Sequence, residues 1–299
     1  MNPGFPGQNR DKRPLRRADV PKKGRFSAEV AGMTRLSDCF IESREAGEAA
    51  SPLRFSDPEP VWLEGFDAVR AAGERGGYHS VLCGEIWLSS PDERTRLSKA
   101  LRALLSYYRR RMKSAGGSTL VAGLGTEQMA ADALGPRTAA RILATTAAMR
   151  EAGMPAICAV KTGIPRETGM DTADLVKALA KESGADLIVT VDSLTARSRE
   201  RLGTLVQVTD CGVVPGSALA HSSGEISART MPCPVLSLGV PTVIRSDVLA
   251  GEEDADPMFV SRADTDAMVS AYARILAAAI NGAFSGNPEQ TGIARAAGA

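Results

Sequence analysis

The sequence predicts an α/β protein in which a largely parallel sheet lies between two layers of helices, a three-layer arrangement. Apolar runs without polar alternation occur at 118–125, 155–160 and 185–192, as expected for strands that are buried on both faces. Segments with the apolar spacing of helices separate these runs. The 299-residue chain is 43% hydrophobic, which is enough to build a sizeable core. Strands that alternate with helices form parallel sheets through right-handed crossovers.

The first predicted elements are a strand at 78–88 and a helix that Pro91 opens. This helix has one apolar face at helical spacing, which consists of Leu97, Leu101, Leu104, Leu105, Tyr108 and Met112. A buried strand at 118–125, a helix at about 134–151 and a second buried strand at 155–160 follow. Together these three segments predict a β-α-β unit.

The pattern then repeats. A helix is predicted from Asp171 to about Ser183, and the next strand ends at Asp192. Further strand-like runs occupy 204–210 and 234–244, and a last helix covers about 264–284. In sheets of this kind the chemistry usually lies beyond the carboxyl ends of the strands. We therefore look for functional residues at those ends.

Composition limits the classes of partner. With 36 Lys and Arg against 35 Asp and Glu, the net charge indicates neither a nucleic acid nor an anionic membrane. No apolar run approaches the roughly 18 residues that span a bilayer. The five cysteines are scattered and form no C-x-x-C motif, which argues against a disulfide framework and a structural zinc site. These features predict a cytoplasmic protein.

The N-terminal segment differs from the rest of the chain. Residues 1–40 are rich in Arg, Lys, Pro and Gly between positions 10 and 25, and little there could be buried. We expect a flexible basic leader, and residues 41–299 are predicted to form a single α/β domain. Composition alone leaves open whether the leader is solvated, is a removable prosegment or is a basic docking arm.

Two acids satisfy the rule about strand ends. Asp132 lies in the loop that leaves the 118–125 strand, and Asp192 ends the next predicted strand but one. Two carboxylates brought together tend to share a proton, so that one can act as base and the other as acid on a water molecule. Each acid also has a structural interpretation: Asp132 as a helix N-cap before Pro136, and Asp192 as a cap of the following turn.

Three other features suggest chemistry less strongly. Gly123-x-Gly125 follows a strand, but position 128 is Gln where a dinucleotide fingerprint requires a third glycine, so close chain packing is favoured. Cys211 and His221 share one loop without a spacing that supports a nucleophile pair. His79 opens a predicted strand and is expected to be structural or exposed.

Motifs between Leu120 and Ile244 resemble, in order, those of the germination proteases, endopeptidases that degrade small acid-soluble spore proteins. They are GLGTEQMAADALGP (123–136), TGMDTADLV (168–176), VDSLTARSRERL (191–202), VTDCGVVPGS (208–217) and LGVPTVI (238–244). The segment 258–284 resembles the closing helix of the family, and 34–45 weakly resembles the region near its processing site.

The resemblance implies a phosphorylase/hydrolase-like α/β fold, similar to that of hydrogenase-maturation endopeptidases. It also implies a self-processing zymogen, a homotetramer located in the forespore or spore core, and small acid-soluble spore proteins as substrates. Within the matching motifs, Asp132 and Asp192 take the positions of the catalytic aspartates. No cofactor, no direct nucleic-acid contact and no membrane contact are expected, while a divalent metal stays open.

Some positions depart from the family pattern. Thr126 stands where the family usually has Asn, Ala131 replaces a Pro, and Val214 takes the place of a His. The leader also has no good match to the acidic cleavage sequence of the substrates. Two alternatives to the aspartate-dependent endopeptidase follow. One is a metal-dependent hydrolase with Asp132, Asp192 and His221 as ligands. The other is a non-enzymatic homologue, which binds spore proteins without cutting them or binds a nucleotide at the glycine turn.

Overall fold

The computed structural model describes Cys39 and residues 59–73, 76–112, 117–145, 147–216, 224–251 and 258–284. All of these residues belong to one compact unit. The predicted leader, apart from Cys39, lies outside the described residues, so the boundary at residue 40 stays a prediction.

Nine strands and seven α-helices occur in the described ranges. The strands are β1 (Glu59–Leu63), β2 (Phe66–Gly73), β3 (Gly76–Leu82), β4 (Thr119–Gly123), β5 (Ile157–Lys161), β6 (Leu187–Ala196), β7 (Leu205–Thr209), β8 (Val235–Arg245) and β9 (Phe259–Ser261). The helices are α1 (Pro91–Arg111), α2 (Leu134–Ala139), α3 (Ala147–Glu151), α4 (Pro165–Thr168), α5 (Thr172–Glu182), α6 (Ser246–Ala250) and α7 (Thr265–Phe284).

All strands join one sheet in the order β1-β2-β3-β7-β8-β6-β4-β5, with β9 paired to β8. The strands β5, β4, β6 and β8 run parallel to one another, whereas the remaining pairs are antiparallel. The α/β fold is confirmed, and its sheet is mixed. Strand β7 runs against β8 because the connection at 197–204 is too short for a crossover to a parallel strand.

Helices cover both faces of the sheet, as the sequence predicts. On one face, α1, α2 and α7 pack with Leu187, Val189 and Val191 of β6 in one apolar core. On the other face, α5 packs against Ile188 of the same strand in a second core. Successive residues of a strand point to opposite faces, so an uninterrupted apolar run is what a strand between two helical layers requires.

The structure changes several element boundaries. The predicted helix at 134–151 is two helices, α2 and α3, because Thr145 between them bonds to the edge strand: its N–H donates to the carbonyl of Ile157 at 2.9 Å and its hydroxyl to that of Pro155 at 2.8 Å. The predicted strand at 78–88 ends at Leu82. The hairpin of β1 and β2, which turns at Glu64–Gly65 with positive φ at both residues, was not predicted.

The helices α1, α5 and α7 lie where the sequence predicts them. Ser90 caps α1 in a capping box with Glu93, and Asp171 caps α5 by accepting bonds from the N–H groups of Ala173 and Asp174. By length and composition α7 could cross a membrane, but 67% of its most apolar window is buried inside the protein, as in the core helix of a globular domain.

Candidate active site

A glycine-lined turn follows β4 and is hydrogen-bonded to the neighbouring strand β6. The N–H of Leu124 donates to the carbonyl of Val191 in β6 at 2.9 Å. A Cβ atom at Gly135 would lie 2.2 Å from the carbonyl oxygen of Leu124 and 2.5 Å from that of Val191. At Gly123 it would lie 2.2 Å from the carbonyl oxygen of Gly135. At Gly125 it would lie 2.3 Å from the carbonyl oxygen of Asp132. The close chain packing predicted for Gly123 and Gly125 is confirmed, and Gly135 shares it.

Asp132 is the last residue of a 3-10 turn, Ala130–Asp132, on the far side of this loop. Its N–H donates to the carbonyl of Met129, and its Oδ2 accepts from the N–H of Thr126 at 2.9 Å. The N-cap residue of α2 is Ala133, and no side chain caps that helix. The interpretation of Asp132 as a helix cap is therefore wrong, and its carboxylate faces the loop that leaves β4.

The pKa of Asp132 is raised from 3.8 to about 6. Burial is the largest cause, the N–H of Thr126 opposes the shift, and the charge of Glu167 adds to it. The hydroxyl of Thr126 donates to Oε1 of Glu167 at 2.5 Å. Glu167 was not among the predicted acids, because it follows β5 and reaches Asp132 only through the fold. A carboxyl with a pKa near 6 retains a proton more readily than an exposed one, as a proton donor must.

The raised pKa of Asp132 makes the stability of the fold depend on pH. The pKa of Asp132 is about 6 in the folded protein, against an ordinary 3.8 in the unfolded chain. The protonated carboxyl therefore contributes its full stabilisation below about pH 4, and this stabilisation is lost as the pH rises through 6. Replacing Asp132→Asn is expected to stabilise the protein, relative to wild type, by about 1 to 3 kcal/mol more at pH 8 than at pH 4. Urea unfolding of both proteins at both pH values measures this, and an equal difference at the two values would contradict it.

Asp192 lies within β6 and not at its end. The strand continues to Ala196, since β8 runs beside it as far as Arg245 and offers partners beyond the paired residues Asp192 and Gly239. One carboxylate oxygen of Asp192 accepts from the N–H of Ser193 at 2.9 Å. The predicted strand end at Asp192, and with it the turn-capping interpretation, is therefore wrong.

The two acids lie in elements that meet at the carboxyl edge of the parallel strands. Cα atoms of the turn Ala130–Asp132 come within 8 Å of Cα atoms of β6 and of β8. The bond from Leu124 to Val191 ties the start of the loop to the residue before Asp192. Gly123, the last residue of β4, pairs with Val191, so Asp192 lies at the level where β4 ends although β6 itself continues.

The cysteine and histidine candidates lie elsewhere or outside the described residues. Burial raises the pKa of the Cys211 thiol to about 11, which disfavours the nucleophilic thiolate. Cys211 follows β7, at the amino end of β8 and so at the opposite edge from Asp192. His221 lies outside the described residues. His79 is buried and structural: its Nδ1 lies 2.8 Å from the hydroxyl of Tyr108, and burial lowers its pKa to about 4.

The donor set for a metal is small in the part of the chain that the structure describes. No group of three or more His, Cys, Asp or Glu side chains there is arranged to hold an ion. Two carboxylates alone suit hard cations weakly. The metal-dependent alternative therefore depends on His221 or on another ligand beyond the described ranges.

A family model described as germination protease matches residues 70–255 of the chain. The germination protease of Bacillus velezensis is 30% identical over 229 residues, which cover 74% of this chain and 61% of that protein. The germination protease of a Geobacillus species is 35% identical over 133 residues, which cover 42% of this chain and 36% of that protein. The germination protease of Clostridium acetobutylicum is 26% identical over 228 residues, which cover 72% of this chain and 70% of that protein.

Among solved structures, the NiFe hydrogenase maturation protease HycI of Thermococcus kodakarensis resembles the chain with a TM-score of 0.34 at 15% identity. The likeness covers 58% of this chain and 98% of HycI. The chain spans 61% and 36% of the lengths of the Bacillus velezensis and Geobacillus proteins that it matches.

Proposed function

Because the chain belongs to the germination protease family, we propose that it is an endopeptidase that begins the degradation of small acid-soluble spore proteins during spore germination. Membership of the family supports proteolytic activity. The proposal adds the substrate, the stage of the life cycle and the catalytic pair, Asp132 and Asp192. The observation that carries the pair is the meeting of the turn of Asp132 with β6 at the carboxyl edge of the sheet.

In the proposed reaction one carboxylate takes a proton from water while the water oxygen attacks the peptide carbonyl carbon. The other carboxyl then gives its proton to the leaving amine as the C–N bond breaks. We assign the proton-donor role to Asp132, because burial raises its pKa to about 6. Asp192 is then the base. The pair ends the cycle with the proton on the opposite carboxyl, and exchange with water restores the starting state.

The other properties in the proposal follow from the family resemblance. They are synthesis as a zymogen that removes its own leader, assembly into a homotetramer, and a cytoplasmic location in the forespore or spore core. We expect small acid-soluble spore proteins as the macromolecular partners, without direct binding of nucleic acid or membrane. No cofactor is required by the mechanism proposed here.

Incubation with a purified small acid-soluble spore protein tests the function, with the products mapped by mass spectrometry. We expect cleavage at one or a few defined bonds at the same rate with and without a chelator such as EDTA. An intact substrate would contradict the proposal and favour the binding homologue. Loss of cleavage with the chelator, restored by added Zn²⁺ or Mn²⁺, would contradict the two-aspartate mechanism and favour the metal-dependent alternative.

A further inference from the structure

We propose that Thr126 and Glu167 are positioning residues that together hold the Asp132 carboxylate and its loop in the geometry needed for the reaction. The inference rests on the proposed function, since it assigns to these residues an effect on the chemistry of Asp132. Neither residue is assigned a direct contact with substrate.

Thr126 is the point at which three parts of the site are joined. Its backbone N–H donates to Oδ2 of Asp132 at 2.9 Å. Its hydroxyl oxygen accepts the N–H of Gln128 at 3.1 Å and donates its one proton to Oε1 of Glu167. Thr126 itself is 3% exposed, while Gln128 and Glu167 lie at the surface, so these bonds link a buried residue to the rim of the site.

The directions of these bonds follow from the groups that Thr126 meets. Because the hydroxyl of Thr126 already accepts a backbone N–H, its proton is free to point at Oε1 of Glu167, which accepts it. Hydrogen bonds therefore connect the carboxylate of Glu167, through the hydroxyl of Thr126, to the loop that carries Asp132.

Glu167 is itself held by the segment that follows β5, the strand next to β4. Its Oε2 accepts from the backbone N–H of Ile164, the N-cap residue of α4, with 3.4 Å between nitrogen and oxygen. Gly163 in the same segment forms an isolated bridge with Gly125, the residue before Thr126. The links between the exits of β4 and β5 therefore include backbone at the glycines and side chains at Thr126 and Glu167.

The hydroxyl of Thr126 ties the loop that carries Asp132 to Glu167. Loss of either member is expected to free the loop while leaving the cores on the two faces of the sheet intact. A displacement of less than 1 Å at a reacting carboxylate is enough to slow catalysis strongly.

Steady-state cleavage of a small acid-soluble spore protein by four single variants and one double variant tests the inference. Thr126→Val removes the hydroxyl with little change in shape, and Glu167→Ala removes the acceptor; we expect each to lower kcat about tenfold with little change in KM. Thr126→Ser and Glu167→Gln keep a hydroxyl and an acceptor oxygen and are expected to stay within about twofold of wild type. The double variant Thr126→Val with Glu167→Ala should lose no more than either single variant, because the residues act as a unit.

The matched control is Glu127→Ala. Glu127 is adjacent to Thr126 and pairs with Lys161 on the exposed surface, so we expect kcat to be unchanged. If wild type cleaves the substrate and Thr126→Val and Glu167→Ala cleave at the same rate, this inference fails and the proposed function stands. Equal losses in all variants, with the melting temperature falling in parallel, would indicate a purely structural role. If wild type cleaves nothing, both proposals fall.

Discussion

Replacing Asp132→Asn or Asp192→Asn is expected to abolish peptide-bond cleavage, with a fall in kcat of about a thousandfold or more. Asparagine keeps the shape of the side chain, so the loss reports the missing carboxylate. At Asp132 the proton for the leaving amine is lost, and at Asp192 the base that activates water. Because one carboxylate cannot replace the other in both steps, the double variant should be no less active than either single one.

Initial rates on a small acid-soluble spore protein, with product mapping by mass spectrometry, measure this loss. The matched control is Asp174→Asn, an exposed carboxylate in the first turn of α5, which should cleave at the wild-type rate. Urea unfolding shows whether each variant keeps the fold. Cleavage within tenfold of wild type by either active-site variant would remove that residue from the proposed pair.

Replacing Gly135→Ala is expected to lower the free energy of unfolding by about 3 kcal/mol or more. An added Cβ atom would lie 2.4 Å from the nitrogen and 2.2 Å from the carbonyl oxygen of Leu124. Those are backbone atoms, and moving them would break the bond from Leu124 to Val191. Alanine improves helix propensity by about 1 kcal/mol, which is too little to offset the overlap.

Gly282→Ala in α7 is the control for Gly135→Ala. Its added Cβ atom would meet the side chain of Arg102, 2.8 Å from Cδ, and a flexible side chain can move aside. We expect a change of less than about 1 kcal/mol. Urea unfolding with a constant m value measures both variants. If Gly135→Ala unfolds at the wild-type urea concentration, the loop can relax, and the close approach of β4 and β6 is not needed.

Patterns that depend on neighbours in sequence were sufficient for much of the fold. The apolar stripes of α1, α5 and α7 predicted those helices to within one or two residues. The unbroken apolar runs of β4 and β6 predicted strands covered on both faces. In each case the burial of a residue repeats with the period of its own element, so a short window contains the signal.

Other features depend on partners far away in the chain. The break after α2 and the continuation of β6 past Asp192 are decided by the strands that those segments meet. An apolar run does not show how far its neighbouring strand extends, and a helix pattern does not show that Thr145 hydrogen-bonds to an edge strand. Hydrogen bonds between distant segments outweigh local preference at such points.

By itself the sequence determined an α/β protein with helices on both faces of a sheet, because the burial of each strand and helix is visible in its own residues. It also singled out Asp132 and Asp192, because they lie in short motifs that resemble those of the family. Only the tertiary structure decided the mixed sheet and the partners of Asp132. Thr126 and Glu167 are separated by a β-α-β crossover and meet only when β4 pairs with β5. The environment that raises the pKa of Asp132 is built from this meeting and from burial, neither of which the residues around Asp132 encode on their own.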